Sequence, residues 1–93
     1  MIENTRKRVG IPAVYLETAN KDVFDVLTYR LLQKGNGSLA SSHEILGILT
    51  EEFHELVDAV KSNDPINVRR ELIDIAVGCL LGIGCIDAGT LDW

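Results

Sequence analysis

The pattern of apolar and polar positions divides this chain into three helical stretches. Val23, Phe24, Leu27 and Leu31 recur at spacings of one, three and four, which predicts a first helix from about Lys21 to Lys34 with Asn20 as its N-cap. It ends at Lys34-Gly35-Asn36-Gly37-Ser38, a terminal cation followed by glycine and loop. A second helix starts at Ser41 or Ser42, where Ser41 and Glu44 match a capping box. Ile45, Leu49, Leu56 and Ala59 step along one of its faces. Lys61-Ser62-Asn63-Asp64-Pro65 then reads as stop, turn and restart, with Asp64 as N-cap and Pro65 in the first helical position. The third helix runs from about Pro65 to Asp87 and stops near Ala88-Gly89. Before about Asn20, Gly10 and Pro12 argue against regular helix, so residues 1–19 are expected to form an extended arm and residues 20–93 the helical domain.

One residue breaks the apolar stripe of the second helix. Glu52 falls between Leu49 and Leu56 at the spacing of the buried positions, where an unpaired carboxylate is costly. In a helix, residues three apart share a face, so Glu52 pairs with Glu55, and Glu71 with Asp74. Counted from Asn63, Glu52 and Asp74 are each eleven positions away and Glu55 and Glu71 each eight. An antiparallel hairpin hinged there sets the four acids level in two facing rungs. Carboxylates so close repel unless a positive charge lies among them, and a hard divalent cation suits oxygen donors. The competing reading is a solvated helix face with i,i+4 pairs, for which Arg70 to Asp74 supplies a basic partner. Arg30 and Lys34 are either a solvated face complementing the helix dipole or phosphate contacts.

The third helix is apolar on every side after Asp74, from Ile75 to Ile86. Such a helix must be enclosed. Two other helices cannot surround it, so burial by further subunits is expected, with Gly78 and Gly82 letting a symmetry mate's helix cross closely. The fold class that follows is all-α: a helical hairpin plus one further helix, completing a four-helix-type bundle through oligomerisation.

Length and charge narrow the picture further. Ninety-three residues make one domain, and a net charge of −5 with a pI near 4.8 argues against nucleic acid as a main partner. The apolar run from Leu72 to Ile86 is fifteen residues long and contains Asp74, too short for a membrane span. Cys79 and Cys85 lie six apart in one helix, roughly 9 Å along its axis, and read as small buried side chains in a reducing compartment. His54-Glu55-Leu56-Val57-Asp58 lacks the second histidine of a zinc-protease helix.

The run Glu51-Glu52-x-x-Glu55, fifteen residues, then Glu71-x-x-Asp74 resembles the signature of the MazG-like all-alpha nucleoside triphosphate pyrophosphohydrolases. The likeness covers roughly Glu44 to Cys85, and Gly35 to Ser42 departs from it by holding neither tryptophan nor a basic residue. The resemblance implies a Mg²⁺-dependent hydrolase, with Mn²⁺ able to substitute, that cleaves a (d)NTP to a (d)NMP and pyrophosphate in nucleotide-pool house-cleaning. It implies metal binding by Glu52, Glu55, Glu71 and Asp74 and catalysis by Glu51, Glu52 and Glu55. Lys34, Arg30 and Arg70 are the candidate substrate contacts. A cytoplasmic homo-oligomer, a dimer or a dimer of dimers, is the expected setting. The alternative is a non-catalytic helical module for oligomerisation or partner binding.

Overall fold

The computed structural model describes residues 8–93, in three helices and, among the described residues, no strand. They are α1 (Ala13–Lys34), α2 (Ser42–Lys61) and α3 (Pro65–Ala88). The fold is all-α. α2 and α3 form an antiparallel hairpin, and α1 packs on α3 alone, making no helix-to-helix contact with α2.

Local chemistry explains where the hairpin begins and turns. The Glu44 amide donates to Ser41 Oγ at 3.2 Å, the first half of a capping box. The return half is displaced by one residue, because the Glu44 carboxylate accepts from the Ala40 amide at 2.6 Å. At the turn, the Asn67 amide donates to Asp64 Oδ1 at 3.1 Å, and Pro65 opens α3 with no donor to lose. Asn63 takes the left-handed conformation at φ 52°, a region that asparagine tolerates. α3 stops at Gly89, left-handed at φ 68°, whose amide reaches back to Ile86 at 3.0 Å. The segment that follows returns over the start of α2. The Asp92 amide donates to the Ala40 carbonyl at 2.6 Å and the Ser42 amide to the Trp93 carbonyl at 3.1 Å, occupying groups that the helix start leaves open.

Four expectations are corrected here. α1 begins at Ala13, not near Asn20, because Pro12 sits at its N-cap and no breaker follows before Gly35. Residues 13–19 are therefore helical, while residues 1–7 of the expected arm lie outside the described residues. Phe24 is not on the packed stripe: it is exposed, and Val23, Leu27 and Leu31 make the contact. Cys79 is exposed, in a surface recess with Leu49, Thr50 and Phe53 of α2, while Cys85 is buried.

The fourth correction concerns the glycines. A Cβ on Gly78 would lie 3.1 Å from Leu49 Cδ2, and one on Gly82 3.3 Å from Ile45 Cγ2. Gly78 and Gly82 thus let α2 of the same chain approach α3 closely, rather than a symmetry mate's helix. Gly84 meets nothing within 4 Å.

The core is thin. Ala59, Val77 and Cys85 are its buried apolar side chains among the described residues. The hairpin face opposite α1 is open: Leu46 and Phe53 on α2, and Leu72, Ile83 and Ile86 on α3, are each more than half exposed. No helix among the described residues is long and apolar enough to cross a membrane.

Candidate metal centre

The stripe that buries α2 carries Glu52 inward with it. Ile45, Leu49 and Leu56 are half-buried, Ala59 is 2% exposed, and Glu52 in the same register is half-buried. The hairpin brings Glu71 of α3 opposite. One oxygen from each of Glu52, Glu55 and Glu71 lies within 4.8 Å of the others. Glu52 Oε2 and Glu71 Oε1 are buried with no hydrogen-bond partner. Buried acceptors without a donor are rare because each forfeits its hydration.

Burial pushes the Glu52 carboxyl up to about 7, with Asp74, Glu55 and Glu71 adding repulsion. Burial also raises Glu71, helped by the charge on Glu55. Both causes, burial and like-charge repulsion, are ones that a cation held among these acids would offset. The donor set fits one hard divalent ion. Glu52, Glu55 and Glu71 would hold such an ion through one carboxylate oxygen each. Glu55 is the exposed member of the three, so the cluster is open to solvent there.

Asp74 is placed differently from the other three acids. Its carboxylate is held by the Arg30 guanidinium of α1, across 44 positions of sequence. Arg70, the partner that the competing solvated-face reading offered, turns instead to Asn67 Oδ1 at 3.2 Å. Reading i,i+4 spacing along α3 finds Arg70, but no local signal marks Arg30, because that contact depends on how α1 lies against α3. A second ion pair, Arg69 to Asp22 at 2.6 Å, joins the same two helices.

Between α1 and α2, floored by α3, lies a groove of about 440 Å³. Glu51, Glu52 and Asp74 line one part of it, Arg30 and Lys34 stand on the α1 wall, and Leu27, Leu31, Val77 and Leu81 give it an apolar interior. The loop from Gly35 to Leu39 closes one end. There Ser38 and Thr90 share a hydrogen bond of 2.6 Å between their hydroxyls, tying the loop to the C-terminal segment. Of the candidate substrate contacts, Arg30 and Lys34 line the groove and Arg70 does not. Glu51 is exposed and lines the groove beside the three-acid cluster without joining it. The groove thus joins three acids, of which Glu52 belongs to the cluster, to two cations and an apolar trough.

Residues 40–85 match the model of the MazG nucleotide pyrophosphohydrolase domain. No curated protein and no solved structure matches the chain. The matched residues run from the cap of α2 through the turn to Cys85 and so contain all five acids and the whole close approach of α2 and α3. The resemblance read from the acid spacing therefore holds over the hairpin: this part of the chain is MazG-like.

Proposed function

We propose that this protein is a Mg²⁺-dependent nucleoside triphosphate pyrophosphohydrolase that converts a (d)NTP to a (d)NMP and pyrophosphate, in nucleotide-pool house-cleaning. The observation that carries the reading is the pair of buried, unpartnered oxygens on Glu52 and Glu71, set beside a groove that also presents Arg30 and Lys34. A structural hairpin has no use for such oxygens, whereas a cation site requires them.

In this reading Glu52, Glu55, Glu71 and Asp74 hold Mg²⁺, or Mn²⁺ in its place. When bound, the ion neutralises phosphate oxygens and lets the triphosphate approach the acids. Glu51, exposed on the groove beside the cluster, accepts a proton from the attacking water. The water oxygen bonds to the α-phosphorus, the bond from that phosphorus to the α,β-bridging oxygen breaks, and pyrophosphate leaves with that oxygen. Lys34 meets the phosphate chain, and the apolar trough of Leu27, Leu31, Val77 and Leu81 takes the nucleoside. Arg70, engaged with Asn67 and away from the groove, has no part in it.

The protein acts as a cytoplasmic homo-oligomer. The open face opposite α1 carries Leu46, Phe53, Leu72, Ile83 and Ile86, and the same face of a second copy would turn two hairpins into a four-helix bundle. Purified protein offered a panel of nucleoside triphosphates with Mg²⁺ should release pyrophosphate as first product from at least one. Glu51→Gln should lower that rate by roughly two orders of magnitude while leaving Mn²⁺ binding within twofold. Orthophosphate as the first product, or an unaffected Glu51→Gln, would refute the assignment of bond or base.

A further inference from the structure

Asp74 belongs by position to the acid cluster but is occupied by a cation that the protein itself supplies. Its side chain is 16% exposed and that of Arg30 39%, so the pair is shielded more than an ordinary surface contact. Arg30 engages Oδ1 of Asp74, so a divalent ion drawn to the same carboxylate would compete with the guanidinium for its charge. A guanidinium so displaced stays on the α1 wall of the groove, one helical turn from Lys34, which has no ion-pair partner among the described residues. Arg30 and Lys34, at i and i+4, share one helix face. Two cations on that face, one held back until the site is loaded, suit a ligand that arrives with the metal and carries negative charge along its length.

We propose that Arg30 is a positioning residue that exchanges partners on metal loading. It neutralises Asp74 in the cation-free protein, gives up that carboxylate to the divalent ion, and then holds an oxygen of the phosphate chain beside Lys34. The inference rests on the acids being a cation site, as proposed above. It adds that α1, outside the matched hairpin, senses whether the cation is present. A guanidinium suits both roles, since its planar fork fits a carboxylate and a phosphate alike. Arg30 thereby delays phosphate binding until the acids are neutralised, which disfavours entry of the anion into an unfilled acid cluster.

The test is calorimetric titration of the full chain with Mn²⁺ alone, then with magnesium pyrophosphate. Arg30→Gln should bind Mn²⁺ alone roughly three- to tenfold more tightly than wild type, because no competitor holds Asp74. It should bind magnesium pyrophosphate at least several-fold more weakly. Lys34→Gln removes an equal charge from the same wall without touching Asp74. It should leave Mn²⁺ affinity within twofold and weaken only pyrophosphate. Arg30→Lys, which keeps charge and helix propensity but loses the fork, should fall between wild type and Arg30→Gln and serves if the glutamine variant does not fold. No gain in Mn²⁺ affinity for the Arg30 variants, or an equal gain for Lys34→Gln, would overturn the exchange while leaving the cation site standing. A wild-type protein that takes up no Mn²⁺ would overturn the site and the exchange together.

Discussion

Glu52→Gln should make the cation-free protein more stable and at the same time insensitive to magnesium. The carboxyl of Glu52 titrates near 7 in the folded chain against an ordinary value of 4.5, chiefly through burial and then through Asp74, Glu55 and Glu71. For an acid raised in this way, the folded state binds the proton more tightly than the unfolded state does. The stabilisation is present in full below 4.5, declines as the pH rises through the interval up to about 7, and is absent above it. An undiscounted shift of this size corresponds to about 3 kcal/mol, and screening of a half-exposed group reduces it to about 1 kcal/mol. Glutamine keeps the shape and removes the charge, so the variant should hold about 1 kcal/mol more stability than wild type at pH 8 in EDTA. In a domain of this size that is roughly 4–8 °C in Tm. The two proteins should converge near pH 4.5. Millimolar Mg²⁺ should reverse the order at pH 8, since the ion stabilises the folded wild type by binding it preferentially and the glutamine variant has lost a ligand. Thermal melts by circular dichroism at one protein concentration, at several pH values, with EDTA or Mg²⁺, read all of this. A variant no more stable than wild type at pH 8 without cation would show that Glu52 is not under the strain inferred. A variant whose Tm still rises with Mg²⁺ as far as wild type would remove Glu52 from the ligand set.

Two further predictions concern assembly and packing. Wild type should scatter light as a species of at least twice the 10.2 kDa chain mass at micromolar concentration, and Ile83→Glu should shift it toward monomer or unfold it; a folded wild-type monomer would refute the proposed face. Gly84→Ala should stabilise the protein by up to about 1 kcal/mol through helix propensity alone, since its methyl meets nothing within 4 Å. Gly78→Ala should gain less or lose, because its methyl would lie 3.1 Å from Leu49 Cδ2; in denaturant melts, the opposite ranking would show that the α2–α3 contact is looser than described.

The hairpin was legible because its signals are local. Ser41, Asp64 and Pro65 act within three residues of where they stand, and the register of Glu52 with Leu49 and Leu56 follows from helical period alone. What depends on the docking of α1 was not legible. Pro12 reads equally as a breaker or as the residue just before a helix, and only the helix-compatible run from Ala13 decides it. Arg30 reaches Asp74 across 44 residues, while Arg70 at i−4 offered a nearer and wrong partner. Gly78 and Gly82 announce a close helix crossing without naming the helix, and the nearer candidate, α2 of the same chain, is the one that uses them. Cys79 and Cys85 are chemically alike, and burial separates them only because a six-residue step leaves one of them at the surface.

A chain with so thin a core should not tolerate a cluster of repelling acids in its main hairpin. Ala59, Val77 and Cys85 together bury little apolar surface, and fully burying a large aliphatic contributes about 1.5–3 kcal/mol against a net stability of only 5–15 kcal/mol for a whole domain. Against that, Glu52 and Glu71 each leave an acceptor buried and unpaired, at about 1–3 kcal/mol apiece. The two proposed partners of this protein offset different parts of the deficit. A divalent ion satisfies the orphaned oxygens and removes the repulsion among Glu52, Glu55 and Glu71. A second copy covers Leu46, Phe53, Leu72, Ile83 and Ile86, which restores the apolar burial that three helices cannot supply to themselves. Because both act on α2 and α3, they are coupled through the same hairpin: an ion that stiffens the acid rungs fixes the spacing of the face that the second copy must match. Magnesium should therefore tighten self-association of wild type, by an amount that sedimentation at several concentrations can read, and should leave the association of Glu52→Gln unchanged. Equal tightening in both proteins would place the ion's effect somewhere other than the acid rungs.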